Sequence, residues 1–437
     1  MAKGGAAVDR ERHLARLPRQ LVEHCLSAAP GTVLPAARDS SRDIDLGGGG
    51  RLVCFADGEG TLIADDATGV VRDATLDGMR DVCRLYDALP EIDCLWTSLE
   101  APSLDPIVAP LVVDAVALRE SSKHLQSVSP KTPRMVPSLV AMLEGEAGCS
   151  LFECPVYSFL HCTVSPLQHD PDVTEASLDL VNSGATVCLT SMPQMGSTAT
   201  MSVLGTSLVT IAELLSGVVL FQLAHPGCLL VSEPMPGATH MRTGQYSGGA
   251  PEVGLANLVC VEIRRFFGLP AIGSGSTTDA KGVNFQAGVE GMLLWLSAAL
   301  AGADGLVASA FFNVSRVLSP AKAVLDADAV GLLHRFLDGV AVDEETTLLG
   351  DIAEVGPGGH FLGRSSTRAR ALSGELFEPR VFHRDRCESS VDTARVADAA
   401  ARAREIFAGQ RRCDRRGPRN TAHRLQGRGF ARKADGR

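Results

Sequence analysis

Between residues 269 and 291 the chain reads LPAIGSGSTTDAKGVNFQAGVEG, a run of small residues followed by Asp279, Lys281, Asn284 and Gln286. A carboxylate, an amine and two amides this close together can bind a polar ligand, pair with ions or, through the lysine, form a Schiff base. The Gly-Ser-Gly-Ser stretch ahead of them lets backbone and hydroxyls approach a ligand closely. Leu269, Ala271 and Ile272 suit a buried strand before the loop. After it Val289, Met292, Leu293, Leu296 and Leu300 recur near helical spacing, with Glu290 in the early turns. The segment is therefore strand, polar loop, helix, which in a parallel α/β protein is where an active-site mouth opens. It reads equally well as an ordinary βα connection without chemistry.

The elements that must position these residues alternate along the chain. Residues 14–29 form a short amphipathic helix, and 51–55 and 60–64 read as two strands around the turn ADGEG, a hairpin. Thr75 is placed to cap a helix over 76–89 with Met79, Val82, Cys83 and Tyr86 on one face. Short apolar runs then alternate with longer helical ones, giving strands at 92–96, 124–128, 158–164, 185–190, 228–232, 269–273 and 306–310, and an eighth near 323–325. Such a series fits an α/β fold of the (β/α)8 TIM barrel type. The expected division is an N-terminal helix and hairpin accessory segment over 1–75, the barrel over 76–345, a C-terminal helical extension that completes it over 346–409, and a basic disordered tail over 410–437.

Composition narrows the function. Of 437 residues 45% are hydrophobic, enough for a large core, and only 5% are aromatic, so each aromatic residue at a strand end carries weight. The N-terminus lacks the apolar core of a signal peptide. The longest apolar stretch, 211–231, is broken by Glu213, His225 and Pro226, so no membrane span and a cytoplasmic protein are expected. The tail from residue 410 holds ten Lys or Arg against Asp414 and Asp435, and the body before it carries a net charge of −18, which repels nucleic acid. Twelve cysteines are scattered without a C-x-x-C pair, as for buried thiols in a reducing compartment, and only His161, Cys162 and His169 come near a zinc pattern. There is no G-x-S-x-G, H-E-x-x-H or Walker loop.

In a barrel of this kind the loops after the strands share one face, and their polar residues are the functional candidates. They are Trp96, Thr97 and Glu100; Ser165, Gln168, His169 and Asp170; and the stretches 192–198, 233–246, 274–286 and 311–316.

Several of these stretches carry a resemblance. SMPQMGST at 191–198, HMRTGQYSGGAPE at 240–252, STTDAKGVNFQAGVEG at 276–291, GPGGHFLG at 356–363 and ELFEPRVFHR at 375–384 resemble the trimethylamine methyltransferase family. The likeness extends to LPRQLVEHCLSAAP and RDIDLGGGGRLVCF near the N-terminus and spans about residues 17 to 409. It implies a barrel methyltransferase that moves a methyl group from a methylated amine to the cobalt of a separate corrinoid protein, with no tightly bound cofactor of its own. Family members that use trimethylamine carry pyrrolysine just after the D-A-K step, where this chain has Gly282. The chain therefore resembles the non-pyrrolysine branch, which includes glycine betaine methyltransferases.

A quaternary ammonium already bears a cationic nitrogen and leaves as a neutral amine, so its methyl can be displaced without acid, base or covalent nucleophile. The enzyme's task is positioning. Aromatic faces bind such a cation, which makes Trp96, Tyr246, Phe361 and Phe377 cage candidates, each with core packing as the alternative, strongest for Phe377. Trp295, in an apolar helix, is assigned to the core. A substrate carboxylate would find Arg242, Lys281 or His360. Asp279 and Gln286 complete the expected substrate site, and a homo-oligomer is compatible with this reading. Two further readings remain open: a barrel lyase using Lys281, and a quaternary-amine-binding protein without turnover.

Overall fold

The computed structural model describes residues 2–308, 310–382, 384 and 395–413. Eight strands alternate with eight helices. The first half comprises β1 (Val53–Ala56), α1 (Leu76–Ala88), β2 (Cys94–Trp96), α2 (Ala109–Glu120), β3 (His124–Val128), α3 (Val136–Ala147), β4 (Tyr157–Cys162) and α4 (Pro171–Asn182). The second comprises β5 (Thr186–Ser191), α5 (Val203–Ala224), β6 (Leu230–Pro234), α6 (Pro251–Phe266), β7 (Ile272–Gly273), α7 (Phe285–Leu300), β8 (Gly305–Ala308) and α8 (Pro320–Leu337). All ladders between these strands are parallel. β8 pairs with β1 from Gly305 opposite Val53 to Ala308 opposite Ala56, and a single bridge between Ser232 and Ala271 closes the ring at the β6–β7 seam. The (β/α)8 barrel expected from the alternation is present.

Two strand assignments are corrected. Residues 323–325 lie inside α8, which Ser319 caps by accepting from the Lys322 N–H and which opens with Pro320. A three-residue apolar run cannot by itself distinguish a strand from the buried face of a helix. The missing strand is Val53–Ala56, which in the sequence reads as one arm of a hairpin with 60–64. It is buried along its whole length and belongs to the barrel. The hairpin partner of Leu62–Ala64 is instead Val71–Asp73, and both join Val317–Leu318 and Phe311–Phe312 in a small sheet above the β1 and β8 ends. A second small sheet, Gln194–Met195 with Gly237–Thr239 and Tyr246–Ser247, stands above β5 and β6. The two sheets flank the mouth.

Helix starts follow local rules. Thr75, Asp170, Ser202 and Asn284 each accept from an N–H of the first turn of α1, α4, α5 and α7. In α7 the buried face is Ala287, Gly291, Leu294, Trp295 and Ala298, so Val289, Leu293 and Leu300 of the expected apolar stripe face outward. Trp295 is core, with Nε1 donating to the Val307 carbonyl at 2.9 Å. α5 is the one helix among the described residues long and apolar enough to cross a membrane, but half of it is buried against the protein and Glu213 sits in its middle.

The other end of the barrel is plugged by the N-terminal segment. Ala36 O meets His124 Nδ1 at 2.9 Å, and burial pushes that imidazole down to about 4. Beyond α8, short helices Glu344–Thr347, Leu349–Val355 and Ser365–Leu372 lead to Phe377, whose ring lies on Gly331 of α8, and to helix Arg395–Cys413. Asp328 of α8 accepts from the N–H groups of Arg380, Val381 and Phe382. Phe377 is thus a packing residue, as its alternative reading held. Cys149 and Cys154, expected as thiols, are joined as a disulfide after α3. Residues 414–437, most of the expected basic tail, lie outside the described residues.

Candidate active site

Strand register settles which side chains enter the bore. Tyr157 reaches Asp114 of α2 and His161 reaches Ser177 of α4, so this set of β4 faces the helices. The alternate set faces inward. It aligns Trp96, Gln126, Ser158 and Thr186 in one layer, and Cys162, Thr190 and Glu233 in a layer nearer the strand ends. Barrel interiors are usually filled by branched aliphatic side chains. This one is polar, and its polar groups are poorly matched: Trp96 Nε1, Gln126 Nε2, Thr186 Oγ1, Thr190 Oγ1 and Glu233 Oε1 have no partner among the described residues. Buried polar atoms are normally satisfied, so this column is a place where water or a polar ligand would complete the bonding.

Glu233 is the centre of that column. It is wholly buried at the end of β6, and Oε2 accepts from the Cys188 thiol at 3.1 Å. Burial pushes its carboxyl up to about 7, with Asp57 adding in the same direction against the thiol's hydrogen bond. Asp57 follows β1 and accepts from Ser315 Oγ at 3.0 Å. Two residues on, Glu59 is raised to about 7 by its enclosure and by Glu100, opposed by Lys131. Water reaches Glu59 and Cys162 although protein surrounds them densely, as it does residues in the wall of a cavity. The Cys162 thiol is pushed up to about 12 by that enclosure, with Glu59 and Glu233 next in weight.

The loops around the mouth are held by one another. Asn313, Val314 and Ser315, between β8 and α8, all have positive φ, 53°, 53° and 58°. Left-handed backbone is costly for a β-branched residue and persists only where the surroundings impose it. Here Asn313 N–H donates to Ala280 O at 2.7 Å, Val314 N–H to Thr278 O at 2.8 Å, and Ser315 Oγ to Asp57. Glu290 fixes the same loop from α7, accepting from Thr278 Oγ1 at 2.5 Å and from Asp279 N–H at 2.9 Å. A Cβ on Gly249 would stand 2.3 Å from Glu290 Oε2, so a side chain there would displace the carboxylate that holds the loop.

Of the residues expected at the site, the structure brings Tyr246 and Asp279 together at the mouth, and Trp96 enters the bore from the end of β2. The Trp96 ring is 6% exposed and packs under Gly58, where a Cβ would come within 2.1 Å of Nε1. Tyr246 packs on Gly237, and its phenol is raised to about 12 by enclosure, then by Asp279 and Asp57. Asp279 accepts from Ser247 Oγ and from Gly248 N–H. Lys281 lies on the exposed rim, donating to Asn313 Oδ1 at 2.6 Å, and Gln286 is exposed and turned to Glu290. Gly282 has nothing within 4 Å of where a Cβ would sit. Arg242 is exposed.

His360 and Phe361 are not brought to the mouth. Hydrogen bonds described for 343–375 close within that segment or reach Arg335 in the last turn of α8, and the helices of such a barrel end on the face opposite the strand ends. The zinc pattern also separates, since Cys162 faces the bore while His161 and His169 pair behind β4 at 3.0 Å. Among the described residues no three ligating side chains converge. Clefts of about 580 and 440 Å³ lie away from the mouth, by the starts of β1 and β2 and beside the C-terminal helix. Asp57 and Glu59 were missed because ADGEG was read as a hairpin turn. Recognising 53–56 as a strand would have placed both at a strand end.

Fold and bore together define a TIM barrel with an acidic, aromatic-walled site at its C-terminal face. Residues 1–412 match the family model for trimethylamine methyltransferase, and the chain belongs to that family. It is 28% identical over 371 residues to a trimethylamine methyltransferase of Desulfitobacterium hafniense (strain DSM 10664 / DCB-2), covering 84% of this chain and 74% of that one. It is also 28% identical over 356 residues to a glycine betaine methyltransferase of Desulfitobacterium hafniense (strain Y51), covering 80% and 74%. The solved monomethylamine methyltransferase of Methanosarcina barkeri superposes with a TM-score of 0.54 over 91% of this chain and 81% of that one. At 11% identity this likeness concerns the fold alone.

Proposed function

We propose that this protein transfers a methyl group from a quaternary ammonium to the Co(I) of a corrinoid carried by a separate protein. The observation that carries the reading is Glu233, a buried carboxyl with one oxygen unpartnered, set in a bore with Asp57, Glu59 and Trp96. Carboxylates and aromatic walls suit a cation that cannot donate a hydrogen bond. The C–N bond breaks, its electron pair stays on nitrogen, and the methyl passes to the reduced corrinoid, which supplies both electrons of the new bond. The amine leaves neutral and no proton moves. This chain's residues hold the cation and aim one methyl outward, a catalysis of orientation.

Gly282 supports the same reading. Open space stands where the resemblance implies pyrrolysine in trimethylamine users, so this chain offers no electrophile to activate a tertiary amine. The corrinoid is a co-substrate that must reach the mouth from outside. Met192, Met201, Met241, Leu204 and Leu208 are exposed around the β5 and β6 loops and the start of α5, an adaptable apolar rim for a partner to settle on. Lys281, exposed and hydrogen-bonded, lacks the desolvation a Schiff-base lysine needs.

The test is methyl transfer by the purified protein to reduced cobalamin from a panel of amines. Transfer from quaternary amines and none from trimethylamine is expected. Robust transfer from trimethylamine would overturn the reading.

A further inference from the structure

Outside the strand ring lies a second buried charge without a partner. Arg264, in the last turn of α6, is completely enclosed. A guanidinium carries five N–H donors in a fixed fork and stays charged at neutral pH, yet Nε, Nη1 and Nη2 of Arg264 have no hydrogen-bond partner among the described residues. Burial pushes it down to about 9, and the groups that oppose the shift are the thiols of Cys260 and Cys188, with no carboxylate among them. Glu213 of α5 has both oxygens engaged by Thr163, Ser165, Leu167 and Ser191, and Glu262 of α6 is exposed. The dipole at the end of α6 favours a cation but amounts to roughly half a negative charge.

The seam that Arg264 enters is marked by Cys260, one turn earlier on the same face of α6. Cys260 Sγ donates to Ser207 O of α5 at 3.8 Å, and Thr210 of α5 lies against the same thiol. Arg264 therefore stands between α5 and α6, behind the sheet. Hydroxyls are available on the walls of this seam. Thr210 Oγ1, wholly buried, donates at 2.9 Å only within its own helix, to Thr206 O. Ser232 of β6 is turned to the helices because its neighbour Glu233 enters the bore, and its Oγ is unpartnered.

A charge taken out of water and left uncompensated is strongly destabilising. The missing counter-charge must be compact, since no part of Arg264 reaches the surface, and monovalent, since the cost of desolvating an ion rises with the square of its charge. We propose that the seam between α5 and α6 holds a monovalent anion of chloride size on the Arg264 guanidinium, a site separate from the bore. Its role is to neutralise the charge that α6 buries against α5, the helix whose Glu213 fastens the β4 and β5 loops.

Thermal unfolding of the full chain in potassium chloride and in potassium gluconate, whose anion is too large for an enclosed seam, tests this at matched ionic strength. The parent's melting temperature is expected to rise by about 3 °C between about 2 and 200 mM chloride and then level off, with Arg264→Leu showing no such rise. In gluconate alone Arg264→Leu should melt at or above the parent, because the apolar side chain removes an uncompensated charge. The same chloride dependence in parent and variant, or none in the parent, would overturn the proposal. Crystals of the parent grown in bromide give a test that does not depend on the variant folding: an anomalous peak in contact with the guanidinium is expected, and water alone there would overturn the site.

Discussion

Glu213 and Glu233 are both completely buried carboxylates on either side of the same strand ring, and their surroundings are opposite. Glu213, on α5, accepts four hydrogen bonds: from Thr163 Oγ1 at 2.7 Å, Ser165 Oγ at 2.9 Å, Leu167 N–H at 2.8 Å and Ser191 Oγ at 2.6 Å. It fastens the β4 and β5 loops to a helix, with both of its oxygens engaged. Glu233 accepts one bond, from a thiol, and keeps an oxygen bare. Burial alone therefore does not mark function. A buried charge whose bonding is complete is structural, whereas one left incomplete beside other acids awaits a counter-charge.

The largest effect expected from this contrast is on stability. Glu213→Ala leaves three hydroxyls and an N–H without their acceptor and should cost about 3–5 kcal/mol, read from the urea midpoint, with ligand affinity per folded molecule unchanged. A loss below about 1 kcal/mol would remove the distinction between the two glutamates.

Glu233→Gln should act in the other direction. The folded-state value of about 7 lies above the ordinary 4.5, so between those limits the folded protein retains a proton that the unfolded chain has lost. Stability contributed by the protonated carboxyl is present below about 4.5, declines as pH rises to about 7, and is flat above. Removing the charge should raise stability at pH 8 by roughly 2–3 kcal/mol and give no gain at pH 4.5. Affinity for a quaternary ammonium should fall about thirtyfold in the same variant. A Glu233→Gln protein destabilised at pH 8 would make this residue a second Glu213.

The parent's affinity for a quaternary ammonium should itself depend on pH. Glu233 and Glu59 both lose their protons near 7, and the cation favours the charged forms, so affinity should rise about tenfold between pH 6 and 8 and level off above. A pH-independent titration would mean that neither carboxyl faces the cation. The smallest effect is expected at Gly282, where a Cβ meets open space: Gly282→Ala should change stability by less than about 0.5 kcal/mol, measured by denaturant melting. A larger loss would show that the open position has a backbone role.

Much of the frame was legible in the residues. Thr75 caps α1 as its spacing to the following apolar residues implied, seven of the proposed apolar runs became barrel strands at nearly their expected places, and the loop after β7 was recognisable as part of the mouth. These features depend on periods of two and 3.6 residues and on short-range capping, which neighbouring residues determine among themselves.

The site was legible only in part. Trp96, Tyr246 and Asp279 were named from residue type at strand ends, whereas His360 and Phe361 were placed by their glycine-rich setting, which says nothing about the face of the barrel on which a segment lies. Glu233 stood only as the edge of a candidate stretch. By itself the sequence determined that strands and helices alternate and that polar residues gather at strand ends. Tertiary structure alone decided that Val53–Ala56 closes the ring against β8, that Asp57 meets Ser315 across 258 residues, and that one oxygen of Glu233 has no partner. Whether a buried polar atom is satisfied depends on every group that folding brings around it, and most of those groups are remote in the chain.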